Sequence, residues 1–383
     1  MNFDLTEEQR MMKENAKRFL EYEIAPLVAN QEQRGAFDRE TAGKIFKKLL
    51  GLGYLEGTFP EQWGGNGLDY LSLGIISEEL WRIWPSLGLS IQANNAPAIS
   101  ALLSGQRELM EQLIPPTASG DMITCSAITE PNVGSNPREI QTVAVPDGDF
   151  FVINGTKSWI SNGGIGDVVL LICKIKGEPD LHRILVERKE SPFISKELHK
   201  LGLKAASTAE LFFEDCRVPK KNRIGLPGDG LKETLKVFEL ARCLIAVGGV
   251  GIAQASLEAA IKYAMERRQW GKPLAGHQTI QHMIAEMDAL TEASRFLAYR
   301  AFAMLDKGVR AARETSLAKY YCCESAVRVA SLGLQIHGAY GLSDEFPLER
   351  YFRDARTLTI PDGTSEINRM IVAREILKVS AFA

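Results

Sequence analysis

Behind Thr6 the apolar positions Met12, Ala16, Phe19, Leu20 and Ile24 recur at helical spacing, and Thr6-Glu7-Glu8-Gln9 reads as a capping box at the start of that helix. Further helical patterns run over Arg39–Leu50, Tyr70–Trp84 and Leu87–Leu103, separated by turns such as Pro60-Glu61-Gln62-Trp63-Gly64-Gly65. From about Asp121 to Pro227 the period drops to two. Asp149–Gly155 reads as a strand ending in a turn, and Val168–Lys174, Arg183–Glu187 and Ala209–Phe213 read as further strands. Long amphipathic helices then return over Leu231–Arg267, Thr279–Asp306 and Arg310–His337. Helices, strands, helices: the order predicts an α+β chain with a helical domain over 1–120, a β sandwich or barrel over 121–228 and a helical domain over 229–383.

That order argues against a nicotinamide-binding Rossmann domain, which needs strands alternating with helices. The nearest glycine pattern, Gly248-Gly249-Val250-Gly251, lies inside a helix, where close packing is the better reading. A net charge of −3 in 383 residues offers no electrostatic case for a nucleic-acid or anionic-membrane partner. The longest weakly polar run, Cys243–Ala255, is short for a membrane span and is broken by glycines. Six scattered cysteines form no CxxC, so neither structural zinc nor a disulfide framework is expected, and reduced, buried thiols fit best. The opening residues carry an early acid and no apolar run; the expectation is a cytoplasmic, bacterial protein, with the mitochondrial matrix as the alternative.

Six segments in order along the chain carry a resemblance. They are Pro60–Gly67, Ala127–Ser135 (A-I-T-E-P-N-V-G-S), Asn154–Gly163 (N-G-T-K-S-W-I-S-N-G), Arg267–Leu274 with Gln278, Gln335–Gly341 and Gly363–Ile367. Together they resemble the acyl-CoA dehydrogenase family of flavoproteins. The resemblance implies three domains, the last a four-helix bundle, with FAD as cofactor, an acyl-CoA substrate, an electron-transfer flavoprotein as acceptor and a homotetrameric assembly. On its motifs, Ala127, Ile128, Thr129, Gly134, Ser135, Trp159, Ile160 and Ser161 would meet FAD within the subunit, with Thr129 near flavin N5 and Trp159 behind the ring. Gly134-Ser135 would present backbone N–H groups and a hydroxyl to phosphate. Arg267, Gln269, Gln278, Gln335, Gly338 and Ala339 would reach the FAD of a neighbouring subunit, Ala339 replacing a usual glycine, and Thr364, Ser365 and Glu366 would complete the flavin contacts. Phe238, Glu239 and Arg242 resemble the helix segment that holds CoA, where Ser135 and Gly363 also contribute; an ion pair between Arg242 and Glu239 is the alternative for that arginine.

One position departs. Where the family commonly reads I-Y-E-G-T, with Glu as the base, this chain reads Ile360-Pro361-Asp362-Gly363-Thr364. The reaction needs a carboxylate that takes a proton from Cα of a thioester while hydride leaves Cβ. Ala241 cannot act, Glu239 faces elsewhere, and no acid lies between Glu79 and Glu108, so Asp362 is the candidate catalytic base. It is about 1.5 Å short of Glu. Replacing Tyr-Glu by Pro-Asp also empties volume, and Gln92, Asn94 and Asn95 put amides on the helix opposite. Asn94 and Asn95 are therefore candidate substrate contacts in a wide, short pocket for a branched, cyclic or polar acyl group, such as an alicyclic carboxyl-CoA. An enoyl-CoA reductase running the same chemistry in reverse, a nitroalkane-oxidase-like enzyme on the same fold and a flavin-free scaffold are the competing readings.

Overall fold

A computed structural model describes residues 4–226 and 230–382, so the expected junction at 228–229 and the first three residues lie outside it. The first helical layer comprises α1 (Glu7–Phe19), α2 (Ala25–Arg34), α3 (Arg39–Lys48), α4 (Tyr70–Ile83), α5 (Pro85–Ser104) and α6 (Arg107–Ala118). The Thr6 hydroxyl accepts from Gln9 N, and the Gln9 side chain accepts from Thr6 N, so the capping box forms as the sequence predicts. A π-turn over Leu20–Ile24 joins α1 to α2, where Pro26 removes one N–H from the ladder.

The middle of the chain forms one eight-stranded sheet. Its strands are β1 (Thr124–Ala127), β2 (Val143–Asp147), β3 (Phe150–Ser161), β4 (Val168–Ile175), β5 (His182–Glu187), β6 (Ile194–Glu197), β7 (Thr208–Pro219) and β8 (Arg223–Ile224). They run in the order β6-β7-β3-β2-β4-β5-β8, with β1 parallel to β4. Phe151, Ile153 and Leu211 share one buried cluster with Leu171, Ile184 and Val186 from the far half of the sheet, so it folds over on itself. Its other face, Val168, Leu170 and Leu185, packs with Leu109, Leu113 and Ile114 of α6. Gly155 does not end the strand. Its φ of +152° sits at a register shift, an added Cβ would strike Thr142 at 2.5 Å, and β3 continues to Ser161.

The remaining elements are α7 (Gly230–Glu266), the small hairpin β9 (Arg268–Gln269) and β10 (Lys272–Pro273), α8 (Gln278–Asp306), α9 (Ala312–His337), α10 (Leu348–Leu358) and α11 (Ser365–Leu377). By length and mean hydropathy α7 could cross a membrane, which the broken Cys243–Ala255 run did not suggest. However, 72% of that stretch is buried here, as in a core helix. Its glycines let neighbours approach: Trp81 lies against Gly248, and the Cys322 carbonyl against Gly249. At Gly251 an added Cβ would meet Arg82 N and Glu78 O, both backbone atoms, at 2.7 Å. Gly251→Val should therefore destabilise the chain by about 1–3 kcal/mol or more, read as a lower thermal midpoint. An unchanged midpoint would show that α4 and α7 can part without cost. Buried Glu78 ties three helices, accepting from Lys13, Arg295 and the Tyr299 hydroxyl at 2.7 to 3.1 Å. All six cysteines are free and buried, and burial pushes the Cys125 and Cys173 thiols up to about 12.

Candidate active site

Asp362 lies in the turn between α10 and α11 with φ +54°, followed by Gly363 at +93°. A left-handed non-glycine residue persists only where its surroundings hold it, and here they do. Arg242 Nε donates to the Asp362 carbonyl at 3.3 Å. Lys319 Nζ and Asn368 Nδ2 donate to the Gly363 carbonyl at 2.7 and 2.8 Å. Lys319 is fully buried on the stripe of α9 that carries Thr315, Ser316, Cys322 and Cys323. Sequence reasoning missed it, although a lysine inside an otherwise small and apolar helical stripe is a readable signal.

The carboxylate of Asp362 faces α5. Gln92 Nε2 donates to Asp362 Oδ2 at 2.8 Å, with the Ala241 carbonyl 3.4 Å away. The helix cannot slide, because Thr124 N donates to Asn94 Oδ1 at 2.8 Å and Ser90 Oγ donates to Asn162 Oδ1 at 2.6 Å. Those bonds brace α5 to β1 and to the end of β3 on either side of Gln92. They also correct the reading of Asn94, which is fully buried against β1 and does not line the pocket. Asn95 does line it. Burial raises the Asp362 carboxyl above the ordinary aspartate range, against the pull of Lys319, Arg242 and Gln92. Base activity requires the ionised form, so activity should fade on acidification at a higher pH than a solvated aspartate would give. Gln92→Leu removes the one side-chain donor to the carboxylate among the described residues, so it should move that limb further up and lower kcat/KM by about tenfold or more, since charge-assisted bonds are the strong ones. An unshifted limb in the pH–rate profile would mean Gln92 does not hold the base.

The cavity beside Gln92 lies between α4, α5 and α7, is walled by Tyr54, Trp81, Ile99 and Leu244, and measures about 30 Å³. This cavity is small, where a wide pocket was expected, and the Tyr54 and Trp81 rings are among its walls, with Gln92 reaching from it to the Asp362 carboxylate.

Toward the CoA end, the Arg242 guanidinium lies 5.9 Å from the Phe238 ring centre, and Glu239 accepts from Ala311 N at 3.1 Å. Thus Arg242 takes the Asp362 carbonyl and Glu239 the Ala311 N–H in place of a direct pair, and Glu239 is already engaged by the protein.

Trp159 is 58% exposed at φ +61°, on a bulge of β3. Ser158 N donates to the Thr129 carbonyl at 2.9 Å, tying the backbone before Trp159 to the Ala127–Thr129 segment, while Ile160 and Ala127 point into the sheet core. Ser161 is half-buried. Below them Lys157 Nζ, fully buried, donates to the Ile128 carbonyl and to Glu130 Oε1, both at 2.9 Å. This pair was not foreseen. Gly134 and Ser135 are exposed, and nothing lies within 4 Å of a Cβ built on Gly134. The protein itself does not need glycine there, but a bound group approaching the backbone would. An open flat ring and an open glycine turn fit a flavin and its pyrophosphate.

Arg267, Gln269, Gln278, Gln335, Gly338 and Ala339 are all exposed, Arg267 lying 6.0 Å from the Tyr340 ring centre. Among the described residues no hydrogen bond or ion pair joins them to the Trp159 segment. Thr364 caps α11 by accepting from Ile367 N, Ser365 is buried with its hydroxyl without a protein partner, and Glu366 points outward near Arg369.

The acyl-CoA dehydrogenase N-terminal, middle and C-terminal domain families match residues 6–121, 125–216 and 228–377. A "Probable acyl-CoA dehydrogenase" of Bacillus subtilis is 37% identical, covering 99% of this chain and 100% of its own. The mitochondrial short-chain specific acyl-CoA dehydrogenase of Mus musculus is 36% identical over 98% of this chain and 91% of its own. The CarC subunit of the caffeyl-CoA reductase-Etf complex of Acetobacterium woodii is 34% identical over 97% and 99%. A Mycobacterium smegmatis glutaryl-CoA dehydrogenase solved with FADH2 matches at a TM-score of 0.93 and 27% identity, over 99% of this chain and 97% of that one. Full-length matches in all three domains, around a held carboxylate and an open flavin-sized face, make this chain a member of the acyl-CoA dehydrogenase family.

Proposed function

We propose that the protein dehydrogenates a short acyl-CoA thioester at Cα and Cβ, with Asp362 as the base that takes the α-proton. The observation that carries this reading is the buried Asp362 carboxylate, held by a strained turn and by Gln92, a residue that itself lines a small, mostly apolar cavity. FAD, when bound, would accept the hydride leaving Cβ. The chain's own residues do the rest. Asp362 receives the proton in a site where burial keeps its basicity up. Arg242 and Lys319 hold the backbone of the turn, so the carboxylate stays aimed. Trp159, Thr129, Gly134 and Ser135 would carry the ring and phosphates. Arg267, Gln269, Gln278, Gln335, Gly338 and Ala339 would serve the FAD of a neighbouring copy, which makes a homotetramer the proposed assembly and an electron-transfer flavoprotein the proposed acceptor. A monomer that holds flavin tightly in sizing chromatography would sink the shared-cofactor part.

The test is a spectral titration of the flavin-loaded protein, without oxygen, with straight, branched and cyclic acyl-CoA thioesters. Bleaching should be strongest with butyryl-CoA and weak with cyclohexanecarbonyl-CoA, since the slot is narrow. Strong bleaching by the ring and none by butyryl-CoA would overturn the short-acyl reading; no bleaching by any thioester would overturn the activity.

A further inference from the structure

Gln92 and Asn95 stand one turn apart on α5 and line the same cavity. The amide nitrogens are committed. Gln92 Nε2 faces the Asp362 carboxylate and the Ala241 carbonyl, and Asn95 Nδ2 donates to the Tyr54 carbonyl at 2.8 Å. All three partners are acceptors, so neither amide can be turned over without setting oxygen against oxygen. The orientation leaves Gln92 Oε1 and Asn95 Oδ1 buried with no protein donor among the described residues. The Tyr54 hydroxyl donates to the Ile76 carbonyl, and the Ser77 and Thr58 hydroxyls, though they border the cavity, do not reach the two oxygens. Buried acceptors without donors are uncommon, and hydrocarbon laid against them leaves their lone pairs unmatched.

We infer that the acyl group carries a neutral hydrogen-bond donor, a hydroxyl or amide N–H, a few bonds beyond Cα, which Gln92 Oε1 and Asn95 Oδ1 receive. The inference rests on the thioester reading above and narrows its substrate class. Gln92 then has two faces: its nitrogen holds the base and its oxygen reads the substrate. An acyl group ending in a carboxylate is disfavoured, because its oxygens would face two amide oxygens with no donor between them.

The test uses thioethers of CoA, which lack the acidic α-proton and so bind without turning over. Calorimetry on the flavin-loaded protein compares S-(4-hydroxybutyl)-CoA with S-pentyl-CoA, of equal heavy-atom length, and with S-(3-carboxypropyl)-CoA. The hydroxyl compound should bind about tenfold tighter than the pentyl compound, or more, because a site built for a donor rejects the analogue lacking it. The carboxylate should bind weakest. In Asn95→Leu the preference should shrink or reverse toward pentyl; if that variant does not fold, the wild-type ratio stands as the test. Tighter binding of the pentyl or the carboxyl compound by the wild type overturns the inference and leaves the thioester reading intact. Failure of all three to bind overturns both.

Discussion

Asp362→Asn should leave a yellow protein that binds acyl-CoA but is not reduced by it, with the bleaching rate lower by about 10²–10⁴-fold, the usual contribution of a positioned base. The substitution is nearly isosteric. The turn is held by Arg242 on the Asp362 carbonyl and by Lys319 and Asn368 on the Gly363 carbonyl, and these are backbone contacts that the amide does not disturb. What changes is the proton acceptor alone, so the loss should fall on the reductive step and spare thioester binding. The oxygen of the new amide can still accept from Gln92 Nε2, so Gln92 keeps its orientation. Normal anaerobic bleaching in this variant would place the base elsewhere.

The second large effect is structural. Lys157 and Glu130 form a buried ion pair under the segment proposed to face the flavin, with side chains 0% and 5% exposed. Burial lowers the lysine and Glu130 pulls it back up; the glutamate, which burial would raise, is held down by donors from Thr142, Gln141 and Lys157. Removing one member of such a pair strands the other. Lys157→Met should cost about 3–5 kcal/mol, seen as an earlier urea transition. It should also loosen FAD, since the Ile128 carbonyl loses its donor and the neighbouring Thr129–Ser158 link its support. Equilibrium dialysis of flavin and the urea midpoint would measure the two losses. If both stay at wild-type values, the pair does not brace this segment.

The layered α–β–α order was legible because each layer has its own period; Asp362 as base is a reading of the motif, for which no other carboxylate suited, and the Asp362→Asn variant tests it. Trp159 was readable from its motif, and its exposure on a bulge supplies a physical reason for it. What escaped the sequence were partners far apart along the chain. Gln92 and Asp362 meet across 270 positions, a contact that no local pattern signals. Asn94 and Asn95, adjacent in sequence, point to different places, because successive helical residues are about 100° apart. One pins α5 to β1 and the other borders the cavity. The backbone carbonyls that Lys319 and Lys157 serve lie 44 and 29 positions away in sequence.

Trp81 is wedged between two glycines on different helices, Gly88 and Gly248, where an added Cβ would lie within 2.6 and 2.8 Å of its ring. It also forms one wall of the cavity proposed for the acyl group. A descendant of this protein could not enlarge the cavity by trimming that ring, since the gap would open into the seam between α4, α5 and α7. Nor could it shrink the cavity by enlarging either glycine without displacing the ring. Changes of diet are thus channelled on α5 to Ile91, Gln92, Asn95 and Ile99, the four side chains of that helix that line the chamber. Of these, Gln92 is bound to the Asp362 carboxylate, which leaves Ile91, Asn95 and Ile99 as the positions on α5 where a new acyl preference can arise in a single step.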